Sequence, residues 1–338
     1  MGDFVETVVR EARFRAARHR LEEAATLYLG GGTPSMLSPT HLRALFGGLQ
    51  TVFRLANGAE VTLEANPATF TARTATLYRQ LGVTRVSLGI QSFHPRHLHT
   101  LGREHNPGEA RASFHLLRQA GMPAISIDLL FAIPGQSLDD WKDTLDQTLS
   151  LEPDHISAYN LTYEEDTPFF AQVGRGRYRD DPHAGAAMFE LAHTRLTDTG
   201  FRHYETSNYA RPGFESVHNQ AYWEGADYLG LGPSAVSTLG ARRWKNIPHT
   251  GRYTSMVRQL GHAEHECEDL LPEQLRLERL ALLLRTDSGV PLAHLRHIPP
   301  ARLEQLKSEH LAEITSSHLR LIGRGPLLVD AVAEHLVG

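Results

Sequence analysis

Polar or glycine-rich residues follow five β-prone segments of the chain, and their chemistry suits a binding site. These end residues are Gly30, Gly31, Gly32, Thr33, Glu64, Gln91, Asp128 and Asn160. Glycines lack a Cβ, so a ligand can lie directly on their backbone N–H groups. Carboxylate and amide groups hydrogen-bond the polar groups of a ligand. Together these residues predict a site for a polar ligand.

Five predicted strands alternate with helices and would position these residues. The strands are expected at 26–29, 60–63, 85–89, 124–127 and 155–159. A helix is expected between each pair, and the period is roughly 30 residues, which is typical of a parallel sheet with helical crossovers. An open doubly wound sheet and a (β/α) barrel both fit this pattern. Polar groups at the carboxyl ends of successive strands favour the barrel, because barrel enzymes build their sites there.

The rest of the chain follows a different pattern. Residues 201–244 are rich in glycine and aromatic residues and show little periodicity, whereas 272–285 predict an amphipathic helix. Two further short helices are expected in the tail 291–337, around 319–322. We therefore predict a partial barrel over residues 1–165, an extension over 166–265 and a small α-rich domain over 266–338.

Composition narrows the functional classes. The net charge of −5 gives no support for binding nucleic acid or an anionic membrane surface. No apolar run is long enough to span a bilayer. The single cysteine, Cys267, excludes a disulfide within the chain and cannot supply a thiolate cluster. We expect a cytoplasmic protein without an integral membrane segment.

Eight motifs occur in an order that resembles a known family. They are Gly30-Gly31-Gly32-Thr33-Pro34, Glu64-Ala65-Asn66-Pro67, Gly89-Ile90-Gln91-Ser92-Phe93, Leu101-Gly102-Arg103, Ile127-Asp128-Leu129-Leu130, Pro134-Gly135-Gln136, His218-Asn219-x-x-Tyr222-Trp223 and Tyr228-Leu229-Gly230-Leu231-Gly232. The set resembles the radical S-adenosylmethionine proteins of the oxygen-independent coproporphyrinogen III oxidase group. Within that group it is most similar to the heme chaperones of the HemW branch. The resemblance covers nearly the whole chain.

The resemblance implies an α/β fold, a partial (β/α)6 TIM-like barrel with S-adenosylmethionine over its strand ends. By the same resemblance, Gly31, Gly32 and Thr33 would hold the methionine amino group. Glu64 and Gln91 would contact the methionine or the ribose. Arg103 and Asp128 match further positions that contact the nucleoside.

The resemblance also implies heme as a ligand. The relevant residues are His218, Asn219, Tyr222 and Trp223, with His218 as the candidate ligand of the heme iron. An imidazole can bind heme iron while aromatic rings cover the macrocycle. A purely structural interpretation stays open, in which His218 and Asn219 hydrogen-bond a turn while Tyr222 and Trp223 fill the core.

Two departures from the family pattern affect the expected chemistry. The family binds a 4Fe–4S cluster through a C-x3-C-x2-C loop after the first barrel strand. This sequence starts at what resembles the first helix, so we expect five of six strands and no protein ligands for the cluster. In addition, Val236 stands where the family usually has a histidine.

Three functional hypotheses follow. The first is a chaperone that binds heme or porphyrin and delivers heme to a respiratory protein. The second is an N-terminally truncated radical enzyme of porphyrin biosynthesis, similar to the oxygen-independent coproporphyrinogen III oxidases. The third is a protein that keeps a pocket for S-adenosylmethionine or a nucleoside without radical chemistry.

Overall fold

The computed structural model describes residues 1–162 and 181–337, and its first half alternates helices with strands. In chain order the elements are α1 (Gly2–His19), β1 (Glu23–Leu29), α2 (Pro39–Gln50), β2 (Arg54–Ala65), α3 (Ala72–Gln80), β3 (Arg85–Gln91), α4 (Pro95–Thr100), α5 (Pro107–Gln119), β4 (Ala124–Phe131), α6 (Leu138–Ser150) and β5 (His155–Asn160). All five predicted strands are therefore confirmed.

Shorter elements make up the second half. They are α7 (Pro182–Asp198), β6 (Arg202–Glu205), β7 (Asn208–Ala210), α8 (Val217–Trp223), β8 (Val236–Leu239), β9 (Arg242–Asn246), α9 (Thr250–Leu260), β10 (Glu264–Asp269), α10 (Pro272–Leu283), β11 (Val290–Pro291), α11 (Pro300–Ser308), β12 (Ala312–Ile314), β13 (His318–Leu321) and α12 (Val329–Val337).

One sheet of seven strands has the order β1-β2-β3-β4-β5-β7-β6. Strands β2 to β5 pair in parallel, as the β/α alternation predicts. Strands β7 and β6 join antiparallel beyond β5. Because β2 to β5 run in one direction, their carboxyl ends lie at the same edge, and that edge positions the polar residues.

Local sequence explains where several helices begin. Ser38 caps α2, where its side chain accepts from the backbone N–H of His41. Asn106 and Glu109 form a capping box at the start of α5, each side chain accepting from the other residue's backbone N–H. These caps fix the residues at which both helices begin.

Contacts divide the chain into two compact units. One comprises residues 29–36 and 62–215, and the other comprises 1–28, 37–61 and 216–338. The core of the former lies along its parallel strands, where Val86, Leu88, Ile125 and Ile127 are fully buried. Residues two apart on a strand point to the same face, so these four side chains of β3 and β4 form one apolar face of the sheet.

The other unit contains two apolar clusters. Tyr253 and Val257 of α9 pack with Val8, Ile247 and Ala263. The second cluster draws on the C-terminal elements, with Leu280 of α10 and Leu319 of β13 almost fully buried in it. These C-terminal elements include a sheet of order β11-β13-β12 beside α10, α11 and α12.

The tail 291–337 contains two short α-helices as predicted, α11 and α12, but they flank 319–322, and residues 318–321 form β13 instead. Leu319 is fully buried while Arg320 is exposed, an alternation typical of a strand. The limits of the three predicted domains stay predictions. The first limit, at residue 165, lies outside the described residues.

Candidate functional site

The first candidate site, here called the strand-end site, comprises Thr33, Asn66, Arg103 and Asp128. Asn66 follows β2 and joins two partners that are distant in sequence. Its Nδ2 donates to Thr33 Oγ1 at 3.3 Å, and its Oδ1 accepts from Arg103 Nη1 at 3.2 Å. The amide therefore links the glycine-rich loop after β1 to the loop after α4.

Gly89 explains how Asn66 and Gln91 come close together. A Cβ built at Gly89 would lie 3.0 Å from both Asn66 Oδ1 and Gln91 Nε2. Real Cβ atoms rarely tolerate contacts this short, so a side chain here would push both amides aside. Gln91 itself has a φ of 68°, a left-handed conformation that is uncommon for a residue with a Cβ. The surrounding structure must therefore stabilise this backbone conformation of Gln91.

Asp128 is the charged centre of the site and accepts several hydroxyl hydrogen bonds. Ser87 on β3 donates to its two oxygens at 2.9 and 2.7 Å, and Ser157 on β5 donates at 2.8 Å. Burial raises the pKa of Asp128, while the serine hydroxyls and the Arg103 charge act in the opposite direction. The carboxylate is therefore held by three neighbouring strands.

Arg103 supplies a positive charge to the same edge of the sheet. Burial lowers the pKa of its guanidinium, and the Asp128 carboxylate partly offsets that effect. An arginine stays protonated despite such a shift. The site thus offers a cation, a carboxylate, an amide and a hydroxyl, a set that can bind a zwitterion carrying a sugar.

The other predicted residues of this group lie at the same strand ends. Gly31 and Gly32 are exposed, and a Cβ at either glycine would meet nothing within 4 Å. Glu64 is half-buried on β2, in register with Ser87 of β3. The structure therefore brings the predicted residues to one edge of the sheet, and their roles toward a ligand stay predictions.

Sequence reasoning missed Asn66, Ser87 and Ser157 as parts of the site. Asn66 precedes a proline, a pattern that suggests only a turn former. The two serines carried a usable signal, because each small hydroxyl stands between two apolar residues of its strand. Buried hydroxyls need a hydrogen-bond partner, and Asp128 is that partner.

The second candidate site, here called the His218 cluster, comprises Thr26, Tyr28, His218, Tyr222 and Tyr228. Nδ1 of His218 lies 2.8 Å from Thr26 Oγ1. The imidazole stacks on Tyr28 with 4.8 Å between ring centroids, and Tyr222 meets it edge-on at 5.0 Å. Tyr228 extends the aromatic surface by contacting Tyr222.

Burial favours the neutral form of the His218 imidazole. Burial lowers the pKa of His218 below its ordinary 6.5, and the carboxylate of Glu60 partly offsets the shift. A neutral imidazole presents a lone pair on one ring nitrogen, which is what an iron or zinc ion binds. Among residues 1–162 and 181–337, no hydrogen bond involves His218 Nε2.

Two residues of the predicted heme set lie apart from the His218 ring. The guanidinium carbon of Arg285 lies over the Trp223 ring, 5.9 Å from the centroid of that ring. The backbone N–H of Asn219 donates to Ser216 Oγ at 3.3 Å, and this hydrogen bond caps α8. Tyr222 is 39% exposed, so this ring does not fill the core. The structure therefore groups His218 with Tyr222 rather than with Asn219 and Trp223.

Residues 1–162 and 181–337 contain neither a cluster of metal ligands nor a helix that could span a membrane. In the part of the chain that is described, no group of three or more His, Cys, Asp or Glu residues could hold a metal ion. Cys267, the one cysteine of the sequence, is exposed on β10. No described helix has both the length and the apolar character needed to cross a membrane.

Comparisons with known proteins place these sites in context. Residues 3–148 match the model of the radical SAM superfamily. The chain is 37% identical to the heme chaperone HemW of Mycobacterium tuberculosis over 329 residues, which cover 97% of this chain and 84% of the relative. It is also 29% identical to the heme chaperone HemW of Bacillus subtilis, with 100% and 92% of the two chains covered.

A solved structure supports the fold. Coproporphyrinogen III oxidase (HemN) from Escherichia coli, a radical SAM enzyme, superposes with a TM-score of 0.84 at 21% identity, covering 98% of this chain and 82% of that one. This likeness confirms the predicted partial (β/α) barrel with a helical C-terminal part.

Proposed function

The chain belongs to the heme chaperone HemW family within the radical SAM superfamily, and from this premise we propose that it binds heme through the His218 cluster. The observation that carries the proposal is that the His218 ring is held in place while its Nε2 remains available to a ligand. One ring nitrogen is engaged by Thr26, the ring is stacked on Tyr28, and no bond to Nε2 is found among the described residues.

These residues fit a heme. Nε2 of His218 would bind the iron, and Tyr28, Tyr222 and Tyr228 would lie against the flat apolar macrocycle. With His218 as its protein ligand, a bound heme could be passed to a recipient that supplies a ligand of its own, which would suit a carrier. The recipient is proposed to be a respiratory protein, as the resemblance implies, and a cytoplasmic location stays a prediction.

We further propose that the strand-end site binds S-adenosylmethionine. This ligand supplies an amino-acid zwitterion, ribose hydroxyls and an adenine. Arg103 and Asp128 would bind its charged and hydroxyl groups, and Asn66 would hold Arg103 in place. Gly31 and Gly32 leave room for the ligand to approach the backbone.

A 4Fe–4S cluster does not fit the residues of this sequence. Three thiolates hold such a cluster in the superfamily, whereas the 338 residues contain one cysteine. Heme binding through an imidazole requires no iron–sulfur chemistry. The expectation that the protein has no cluster ligands stays a prediction.

Titration with hemin tests the proposed heme site. The wild type should give the shifted Soret band of an imidazole-bound heme. His218→Ala should lose that band and bind hemin much more weakly. His99→Ala is the matched control, since His99 is an exposed histidine of α4 outside the cluster. If His218→Ala keeps the wild-type spectrum and affinity, the proposed heme site is wrong.

The strand-end site also supports a second candidate function, a radical enzyme similar to coproporphyrinogen III oxidase. Its test is anaerobic reconstitution with iron and sulfide, followed by electron paramagnetic resonance of the reduced protein. A 4Fe–4S signal would favour this candidate. Binding of S-adenosylmethionine without any cluster signal would instead favour a pocket that works without radical chemistry.

A further inference from the structure

The backbone of His218 is anchored by a buried carboxylate. Glu60 is 8% exposed. Its oxygens accept from Ser216 Oγ at 3.1 Å, from the Val217 N–H at 3.2 Å and from the His218 N–H at 3.0 Å. The first N–H groups of a helix lack intrahelical partners and favour an anion. Glu60 therefore fixes where α8 begins and where the Cα of His218 lies.

The imidazole ring of His218 is fixed by a second element, β1. Thr26 and Tyr28 are two residues apart on this strand, so their side chains point to the same face. Tyr28 stacks on the ring with an interplanar angle of 20°, and Thr26 Oγ1 lies 2.8 Å from Nδ1. Stacking sets the plane of the ring, whereas the Thr26 hydroxyl distinguishes its two nitrogens.

That distinction decides which nitrogen can bind a metal. In a neutral imidazole one nitrogen carries the proton and the other carries the lone pair. If Nδ1–H donates to Thr26, the lone pair must be on Nε2. In metalloproteins the ligating histidine commonly donates its other N–H to such a partner, which fixes both tautomer and orientation.

We propose that Thr26 is a positioning residue for His218: its hydroxyl oxygen accepts from Nδ1–H and leaves the lone pair on Nε2 for the heme iron. This inference rests on the proposed heme site. Thr26 does not touch the iron and acts only through the imidazole.

The heme-free protein provides a direct test by nitrogen-15 NMR of labelled histidine. Because the sequence has 20 histidines, the His218 signals are assigned by their loss in His218→Asn. The wild type should show mainly the Nδ1–H tautomer. Thr26→Val keeps the shape of the side chain but removes the hydroxyl, so the Nε2–H tautomer should increase. Thr26→Ser should restore the wild-type tautomer.

Hemin titration of the same variants gives the second readout. Loss of such an outer partner typically weakens metal binding by about 10–100-fold, and we expect that range for Thr26→Val. Thr26→Ser should stay close to the wild type. Thr40→Val is the matched control, since Thr40 is an exposed threonine of α2.

The outcomes separate this inference from the heme site itself. An unchanged tautomer and unchanged hemin affinity in Thr26→Val would overturn the role of Thr26. If Thr26→Val fails to fold, the wild type alone decides: a mainly Nε2–H tautomer of His218 would overturn the role of Thr26. If Thr26→Val shifts the tautomer while His218→Ala binds hemin normally, Thr26 does fix the ring but the proposed heme site is wrong.

Discussion

The strand-end site and the His218 cluster differ in how many of their polar groups are hydrogen-bonded to other residues of the same site. At the strand-end site, Asp128 accepts from Ser87 and Ser157, and Asn66 bonds both Thr33 and Arg103. In the His218 cluster, a hydrogen bond to Thr26 and stacking on Tyr28 fix the imidazole. No hydrogen bond to its Nε2 is found in the described residues. In the strand-end site the polar groups already bond one another, whereas in the His218 cluster one ring nitrogen is available to a ligand.

This difference predicts different ligands and different consequences of mutation. A polar network can exchange some of its bonds for those of a polar ligand, so it suits a zwitterion with a sugar. A neutral imidazole beside aromatic rings suits a metal in a flat macrocycle. Mutations in the network should affect both stability and binding, whereas mutations in the cluster should affect binding more than stability.

The largest effect on stability is expected for Asp128→Ala. Removing the carboxylate leaves buried serine hydroxyls without their acceptor, which typically costs about 1–3 kcal/mol. The free energy of unfolding, measured in urea, should fall by that amount. His218→Ala should lower it by less, about 0.5–1 kcal/mol, because it removes one hydrogen bond and the ring contacts of a half-buried imidazole. Equal losses in the two variants would contradict the comparison.

A smaller effect on binding is expected for Gly89→Ala. The added Cβ would lie 3.0 Å from Asn66 Oδ1 and Gln91 Nε2 and must displace them. Since one hydrogen bond contributes about 0.5–1.5 kcal/mol, we expect up to about tenfold weaker binding of S-adenosylmethionine by calorimetry. Gly47→Ala is the control, since a Cβ there meets nothing within 4 Å. Unchanged affinity in Gly89→Ala would show that Asn66 and Gln91 do not matter for this ligand.

The pH dependence of hemin binding should report the pKa of His218. Only the neutral ring can bind iron, and burial lowers its pKa below 6.5 in the folded protein. Affinity should therefore fall with decreasing pH, as the ring takes up a proton, at a lower pH than an ordinary histidine would give. Titrations at several pH values measure this. A decline that is already complete at pH 6.5 would contradict a lowered pKa.

The smallest effect is expected for Trp223→Phe. The Trp223 ring packs against Arg285, and its Nε1 is buried without a hydrogen-bond partner in the described residues. Replacing it with phenylalanine should leave the Soret band and hemin affinity unchanged. Tyr222→Leu provides the contrast and should change both, because Tyr222 contacts the His218 ring. A large spectral change in Trp223→Phe would place Trp223 in the heme site after all.

The sequence predicts the parallel strands well because their signal is local. Each combines a short apolar run with a polar or glycine-rich end, and a helix follows. Strands β6 and β7 are only four and three residues long, too short for a periodic signal. Strand β13 gives no such signal either, because its alternation spans only four residues.

The sites depend on contacts that a sequence does not display. Asn66 meets residues 33 and 37 positions away, and only the folded crossovers bring them together. Likewise, His218, Tyr222 and Trp223 lie in one motif, but successive helical residues point about 100° apart. Tyr222 therefore shares a face with His218, one turn away, while Trp223 points elsewhere.

The most direct test of two separate ligand sites is to measure both ligands on both variants. Hemin titration and calorimetry with S-adenosylmethionine are applied to His218→Ala and Asp128→Asn. We predict that His218→Ala loses only imidazole-bound heme and that Asp128→Asn loses only binding of S-adenosylmethionine. If His218→Ala keeps the heme spectrum, or either substitution abolishes both ligands in folded protein, the account is wrong.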